Sequence, residues 1–319
     1  MKESKNFNKA FKKEINKHAR MVLLYLLSLF STVFIYIMYK IISIDMTTGL
    51  TDDSIDQLKT LLMESGTASI LGTGIGMIII LTHRKRKLFS YDLVVEDKKM
   101  NWRSFIKIFL CFMSIQAITS VVSAGTEALL NSFGYTIMEQ IESATSVSAT
   151  VSMFMYASII GPIAEEIVFR GVLLRGLEKY GKTFAIIISA IFFGAFHGNF
   201  LQGIFATIIG IVLAYVTIEY SIKWAMVIHV INNLVFGDVL GFILANFSTT
   251  SQEVFNITML IVLFVGGAFV LFKNGNYIRK YIESNRSEKG LYKYTFTSFW
   301  VIIFLSVCFL VALSGIQKI

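Results

Sequence analysis

Nine apolar runs, each about as long as the α-helix that crosses a hydrocarbon core of ~30 Å, dominate this chain. They lie at 21–44, 66–83, 104–124, 147–169, 183–200, 202–220, 225–245, 256–273 and 297–314. With 55% hydrophobic and 16% charged residues over 319 positions, the chain has more apolar surface than a soluble core needs. The sequence therefore predicts an all-α fold, a polytopic transmembrane helical bundle of eight to nine spans.

Residues 1–20 form a basic segment ahead of the first apolar run. Seven Lys or Arg residues stand there against Glu3 and Glu14. Such a segment is attracted to anionic lipid at the cytoplasmic surface. No internal repeat and no linker rich in Pro, Gly or Ser divides the rest of the chain, so residues 21–319 are predicted to form a single transmembrane domain with a motif-bearing core over 147–245.

The net charge of +8 is distributed in blocks beside the apolar runs. With the N-terminus inside, 26 of the 29 Lys and Arg residues fall in cytoplasmic segments, whereas the outer loops 45–65, 125–146 and 246–255 contain only Lys59. This asymmetry is typical of orientation in a membrane and does not indicate nucleic-acid binding. We predict a multi-pass protein of the cell membrane with a cytoplasmic N-terminus and, if all nine spans are present, a C-terminus outside.

The stretch over 161–171, which reads G-P-I-A-E-E-I-V-F-R-G, places three charged residues in an apolar run. A charge near the middle of a bilayer costs about 2.5–3.5 kcal/mol, so such residues are functional candidates. Glu166 and Arg170 are four residues apart on one helical face, with the acid first. Glu165 points about 100° away from that face. We interpret Glu166 and Arg170 as a structural ion pair and Glu165 as the residue free for chemistry, with Pro162 kinking or starting the helix.

Two histidines lie within apolar runs, His197 and His229. Phe193 precedes His197 by four residues, and Asn233 follows His229 by four, so each pair shares a helical face. A buried polar group in lipid needs a partner. We therefore expect Glu165, both imidazoles and the carboxamide of Asn233 to meet.

Several features of the chain are interpreted as structural. His18, in the basic segment, and His83, at the end of a span, are expected to be solvated or to face headgroups. Gly72 and Gly76 form a G-x-x-x-G pattern, which predicts a helix-packing face rather than a nucleotide loop. Phe193 is expected to pack against the site without taking part in chemistry.

The set of polar residues suits hydrolysis of a peptide bond by an activated water. A glutamate in a water-poor pocket can act first as general base and then as general acid. His197 could position the water, while Asn233 and His229 could donate hydrogen bonds to the developing oxyanion. The sequence has no recognisable serine or cysteine nucleophile motif and no H-E-x-x-H motif.

The patterns E-E-x-x-x-R at 165–170, F-x-x-x-H at 193–197 and H-x-x-x-N at 229–233 resemble, in this order, the three motifs of the CPBP family. This family comprises the CAAX prenyl proteases of the Rce1 type and the bacteriocin-processing enzymes, also called Abi proteins. The resemblance implies an intramembrane glutamic endopeptidase of about eight helices. In it Glu165 would activate water together with His197, and His229 and Asn233 would stabilise the oxyanion.

The substrate implied is a peptide or a membrane-associated protein precursor, such as a bacteriocin or a pheromone. A composition rich in Lys, Ile, Asn and Phe indicates a bacterial source, for which a prenylated CAAX substrate is not expected. No cofactor is expected; were a zinc ion bound, Glu165, His197 and His229 would be its ligands.

Two other classes of function fit parts of the pattern. The first is a membrane protein that binds without hydrolysis, for instance a scaffold or a protein of bacteriocin self-immunity. The second is a transporter, because intramembrane carboxylates and histidines also form proton relays. Many transporters are built from two repeats that each contain such a motif. In this chain the polar motif occurs in one half only, which argues against a transporter.

Overall fold

The computed structural model describes residues 2–48, 66–94 and 99–319. In these ranges nine helices coincide with the nine predicted apolar runs, which confirms the all-α membrane bundle. They are α1 (Lys2–Thr48), α2 (Thr67–Arg84), α3 (Trp102–Asn131), α5 (151–180), α6 (Lys182–Phe196), α7 (Phe200–Glu219), α8 (Ile222–Leu244), α9 (Thr249–Ser284) and α11 (Phe299–Ser314). Most of the predicted first outer loop, including Lys59, lies outside the described residues.

Short elements connect or close these helices. Two short helices are α4 (Met138–Thr145) and α10 (Leu291–Phe296), and a single wide helical turn covers Leu88–Asp92. Strands β1 (Tyr135–Thr136) and β2 (Gln317–Lys318) pair antiparallel and tie the last residues to the loop after α3.

Six of the helices are long and apolar enough to cross a membrane, namely α1, α2, α3, α7, α8 and α9. Helices α6 and α11 are apolar but contain only 15 and 16 residues. At ~1.5 Å per residue they are about 23 Å long, less than a hydrocarbon core of ~30 Å. The remaining helix, α5, contains the charged stretch over 161–171. Length alone thus leaves the number of complete spans between six and the nine predicted.

The basic segment over 2–20 is the beginning of α1 and has two faces. Phe11 and Ile15 are fully buried, and the ring of Phe11 packs edge-on against Tyr180 at 4.9 Å. Lys13 and Lys17 lie four residues apart on the exposed side. The segment therefore packs on the bundle with one face and presents positive charge with the other.

The prediction that His18 is solvated or faces headgroups is wrong. His18 is only 2% exposed, and its ring lies so close to α5 that a Cβ on Gly176 would meet Nε2 at 2.5 Å. The reason is helical periodicity, because His18 follows Ile15 by three residues and so shares the buried face of α1. His83 is partly buried.

Gly72 and Gly76 form the predicted helix-packing face, between α2 and α1. A Cβ on Gly72 would lie 3.0 Å from Cα of Leu29, and one on Gly76 would lie 2.4 Å from the ring of Tyr25. Gly74, on the other side of α2, has nothing within 4 Å of its Cβ position. The two glycines let the backbones of α1 and α2 approach closely, as small residues do in membrane bundles.

Substitution Gly76→Ala is expected to destabilise the protein, because the added methyl group overlaps the buried ring of Tyr25. Overpacking of this kind costs about 1–3 kcal/mol. The measurement is thermal unfolding of purified protein in detergent, with Gly74→Ala as the matched control on the same helix. Equal melting temperatures for the two variants would contradict close packing of α2 on α1.

The turn between α6 and α7 holds the end of α6 against α7. A Cβ on Gly194 would lie 2.3 Å from the carbonyl oxygen of Gly203, so the two helices touch at their backbones. Gly198 adopts φ +57° just after α6, a conformation that suits glycine. The Asn199 side chain then accepts a hydrogen bond from the backbone N–H of Gln202 and caps α7. His197 is held at the C-terminal end of α6.

Candidate active site

Helix α5 has two wide turns, which flank Glu165. The π-type turns cover Tyr156–Ile160 and Glu166–Leu174, and an α-helical turn, Gly161–Glu165, separates them. Such turns are rare and are often found at functional sites. Glu165 is the last residue of the α-helical turn, and Glu166 is the first residue of the second wide turn.

Pro162 leaves a backbone acceptor open within the first wide turn. The N–H of Gly161 donates to the carbonyl of Tyr156, five residues earlier. In the same register the carbonyl of Ala157 would pair with residue 162, which as a proline has no N–H. The side chain of Asn233 takes that place, because its Nδ2 donates to the Ala157 oxygen at 2.9 Å. The proline of the first motif therefore helps to orient the asparagine of the third.

Glu166 joins two helices inside the bundle. Its Oε1 lies 3.2 Å from Nη1 of Arg170, and both side chains are fully buried, which confirms the predicted ion pair. The same Oε1 lies 2.9 Å from Nδ1 of His229 on α8. Since a carboxylate only accepts, Nδ1 of His229 carries the proton and a neutral ring presents a lone pair at Nε2.

Arg170 and Phe193 pack together beneath the site. The guanidinium carbon of Arg170 lies 4.0 Å from the centre of the Phe193 ring, a cation–π contact, and Nη2 donates to the carbonyl of Gly210 at 3.4 Å. Phe193 also meets the rings of His197 and His229 edge-on, at 4.9 and 5.8 Å. Phe193 therefore packs against the site residues as expected, and its having no part in the chemistry stays a prediction.

Glu165 is the carboxylate that faces open space, with its side chain 16% exposed. Its Oε2 lies 3.8 Å from Nε2 of His229. This distance is longer than a hydrogen bond and short enough for one water to contact both atoms. Glu165 and Glu166 therefore approach opposite nitrogens of one imidazole, and only Glu165 opens to a cavity.

His197 turns its other nitrogen toward the same space. Its Nδ1 lies 2.8 Å from the carbonyl oxygen of Phe193, which can only accept, so Nδ1 is the donor. The unprotonated Nε2 is left for the cavity that Glu165, His229 and Asn233 also line. The structure thus brings the four predicted catalytic residues around one space, and their catalytic roles remain predictions.

A chain of side-chain amides links Asn233 to α3. Nε2 of Gln116 donates to Oδ1 of Asn232 at 2.5 Å, and Nδ2 of Asn232 donates to Oδ1 of Asn233 at 2.9 Å. Nδ2 of Asn233 donates in turn to Ala157. The Ala157 carbonyl can only accept, so the nitrogen of the Asn233 carboxamide must face it and the oxygen must face Asn232. One of the two N–H groups of Asn233 is then left for another acceptor.

Two cavities meet at the site. The first, called the apolar cavity, has a volume of about 710 Å³ and contains Glu165, His197 and His229 together with apolar side chains of α1. The second, called the polar cavity, has a volume of about 410 Å³ and extends toward α4 and the C-terminal half of α3. Asn232 and Asn233 line both cavities. The candidate residues therefore stand where an apolar space meets a polar one.

Sequence reasoning missed Asp238 and Gln116. Asp238 is 4% exposed; it accepts hydrogen bonds from the backbone N–H of Ser148 at 2.7 Å and from the hydroxyl of Ser158. It thereby ties α8 to the beginning of α5. A carboxylate and a carboxamide within apolar runs are signals of the same kind that identified Glu165, so the rule on polar residues in a span could have found both.

In the described ranges, no group of three or more His, Cys, Asp or Glu side chains is arranged so that it could hold a metal ion. Glu165 and His229 approach each other, but they do not form a three-ligand set with His197 there. A structural zinc site needs four ligands, and a catalytic one needs three with an open position.

Comparison with known proteins covers the part of the chain that contains the site. Residues 147–235 match the family model "Type II CAAX prenyl endopeptidase Rce1-like". A stretch of 79 residues, 24% of this chain, is 33% identical to "Putative membrane peptidase YdiL" of Bacillus subtilis (strain 168). That stretch spans 32% of the Bacillus protein, and no solved structure matches the chain. The resemblance predicted from the three motifs is confirmed.

Proposed function

We propose, on the premise that residues 147–235 are an Rce1-like region of a membrane bundle, that the protein is a membrane-embedded endopeptidase that uses a glutamate-activated water. The observation that carries the proposal is the position of Glu165, whose carboxylate is 3.8 Å from Nε2 of His229 and opens to a cavity. The neighbouring Glu166 is occupied by Arg170 and by Nδ1 of His229, so it has a bracing role.

The chemistry follows from these positions. Glu165 accepts one proton of a water whose other hydrogen is donated to Nε2 of His197 or His229, and the water oxygen bonds to the carbonyl carbon of the substrate. The free N–H of Asn233 donates to the oxyanion that forms. The carbon–nitrogen bond then breaks as the protonated Glu165 returns its proton to the leaving amine. His229 can donate to the oxyanion only when both of its nitrogens are protonated.

The substrate class of this proposal is a peptide or a membrane-associated precursor, such as a bacteriocin or pheromone precursor. The test is co-expression with candidate precursors, with cleavage read by mass for the wild type and for Glu165→Ala. The second class, a non-hydrolytic immunity or scaffold protein, predicts that biological activity survives in Glu165→Ala at normal abundance. Proton-coupled flux in liposomes would instead favour a transporter.

We also propose that the N-terminus is cytoplasmic and that α1 contacts anionic lipid. The proposal is supported by the blocks of Lys and Arg at the end of the bundle where α5 meets α6, and by the exposed Lys9, Lys13 and Lys17, four residues apart on α1. The polar cavity lies toward the opposite end, formed by α4 and the turn between α6 and α7. In this orientation, water and substrate reach the proposed site from the outer side of the membrane.

An impermeant thiol reagent applied to intact cells is expected to label Ser132→Cys, beside the end of α3, and not Ser284→Cys, at the end of α9. The background carries Cys111→Ser and Cys308→Ala, which removes both native thiols. In the proposed topology α3 ends on the outer side and α9 ends on the cytoplasmic side. Both serines are exposed. Labelling of Ser284→Cys alone would reverse the proposed orientation.

Hydrolysis is expected to be unchanged by a strong chelator, because the proposed water is activated by Glu165 without a metal. The measurement is the cleavage rate of purified protein before and after chelation, together with its metal content. Loss of cleavage on chelation and its recovery with zinc would establish the zinc-dependent alternative, with Glu165, His197 and His229 as ligands.

A further inference from the structure

The polar cavity is lined mostly by uncharged side chains that can form hydrogen bonds. Thirteen of its 21 lining residues are Ser, Thr, Asn or Gln, and none of the described residues that line it is Lys, Arg or His. Its one carboxylate, Asp238, is already bonded to Ser148 and Ser158. An ion in such a cavity would lack a counter-ion, whereas a peptide backbone and side chains with hydroxyl or amide groups would find partners.

A free carboxyl terminus has no cationic partner in this cavity. Enzymes that select a terminal carboxylate need a positively charged group or a set of backbone donors to hold it. Here the lining offers hydroxyl and amide groups on several helices instead. The polar cavity therefore suits an internal part of a chain, which agrees with cleavage within a chain and not at its end.

The apolar cavity reaches the surface of the bundle that faces lipid. Phe30 and Phe34 of α1 line it, and these side chains are 42% and 61% exposed. Leu26, one turn earlier on the same helix, lines its inner part and is only 3% exposed. An apolar segment in the bilayer can thus reach Glu165 sideways, along α1, without crossing a polar surface.

We propose that the substrate is a membrane-inserted chain whose apolar segment enters the apolar cavity and whose adjoining outer residues, polar and uncharged, occupy the polar cavity. Because both cavities meet at Asn233, next to Glu165, the substrate's peptide bond between its apolar and its polar stretch lies at these two residues. The cleavage part of this inference rests on the proposed function. The binding part rests only on the shape and chemistry of the two cavities.

The test uses three synthetic reporter peptides that share one apolar helix-length segment and differ in the residues that follow it. The first continues with Ser, Asn and Gln, the second has Lys at the same positions, and the third has Glu. Each carries a photo-crosslinking group in this flank. Binding to full-length Glu165→Gln protein in liposomes is read as crosslinks, and cleavage by wild-type protein is read by mass.

The uncharged reporter is expected to crosslink to residues 119–123 of α3 and to be cut at its junction, and the two charged reporters should bind about tenfold more weakly. Ser120→Asp places a carboxylate in the polar cavity, at a serine whose hydroxyl bonds only within its own helix, to the Gln116 carbonyl. It should restore binding of the Lys reporter and weaken the Glu reporter further. Ser132→Asp, outside the cavity on the exposed end of the same helix, should change neither.

Equal crosslinking of the three reporters, or no response to Ser120→Asp, would overturn the inference. Crosslinking that a free fatty acid abolishes and that flank charge does not affect would overturn it too, because the apolar cavity would then be an acyl-chain site. Cleavage without regard to flank charge refutes this substrate class and leaves the hydrolase intact. Selective crosslinking without cleavage refutes the hydrolase and leaves the binding site intact.

Discussion

Replacing Glu165 by Gln is expected to lower the rate of peptide hydrolysis by about 10²–10⁴-fold, the usual contribution of a general base. Glutamine has nearly the shape of glutamate but cannot accept the proton of the attacking water at neutral pH. The abundance and melting temperature should remain close to those of the wild type, because Glu165 lies at a cavity and its side chain is 16% exposed. The measurement is the initial cleavage rate of purified protein on the uncharged reporter.

The matched control is Glu253→Gln, the same substitution at an exposed glutamate near the start of α9. It should leave the cleavage rate unchanged, since residue 253 lies outside both cavities. If Glu165→Gln retains the rate of this control, Glu165 is not the general base. If Glu165→Gln loses abundance as well as activity while the control keeps both, the loss of activity reports on folding and not on proton transfer.

Replacing Arg170 by Met is expected to destabilise the protein by about 3–5 kcal/mol, the range for removing one partner of a buried ion pair. Arg170 and Glu166 are both fully buried, and the substitution leaves the carboxylate with only Nδ1 of His229. Methionine keeps a long apolar side chain against the ring of Phe193, so the lost charge outweighs the lost volume. Denaturation in detergent, followed as loss of helical signal, measures the change.

The double variant Glu166→Gln/Arg170→Met separates charge from packing. Because no uncompensated charge remains, it should recover much of the stability that Arg170→Met loses. A double variant as unstable as the single one would indicate that Arg170 acts through its packing on Phe193 and its bond to Gly210. It would then be wrong to describe the pair as an electrostatic brace.

Local regularities made the helices and the ion pair predictable. Apolar runs of span length mark nine helices, and the spacing of four residues puts Glu166 beside Arg170 whatever the rest of the bundle does. The G-x-x-x-G pattern likewise predicts close packing without naming the partner helix. These features depend on periods within one segment, and such periods can be read directly from a sequence.

What depends on tertiary contacts was not predictable in the same way. The first wide turn of α5 occurs together with a hydrogen bond to the Ala157 carbonyl from the side chain of Asn233, which is 76 residues away in the sequence. Gln116 reaches Asn232 across 116 residues of sequence. His18 shares the buried face of α1 with Ile15, but the element that covers this face is α5, where Gly176 leaves room for the ring. The basic residues around His18 in the sequence indicate the opposite. Charge alone therefore misled the interpretation of a helix whose two faces differ.

We propose that Glu165 activates a water to hydrolyse a peptide bond, and this step is measured most directly by the mass of the products that purified protein forms in heavy-oxygen water. We expect the new carboxyl terminus to gain one heavy oxygen atom with the wild type, and the Glu165→Gln variant to form that product at least about a hundredfold more slowly. Equal amounts of labelled product from the two proteins would contradict it.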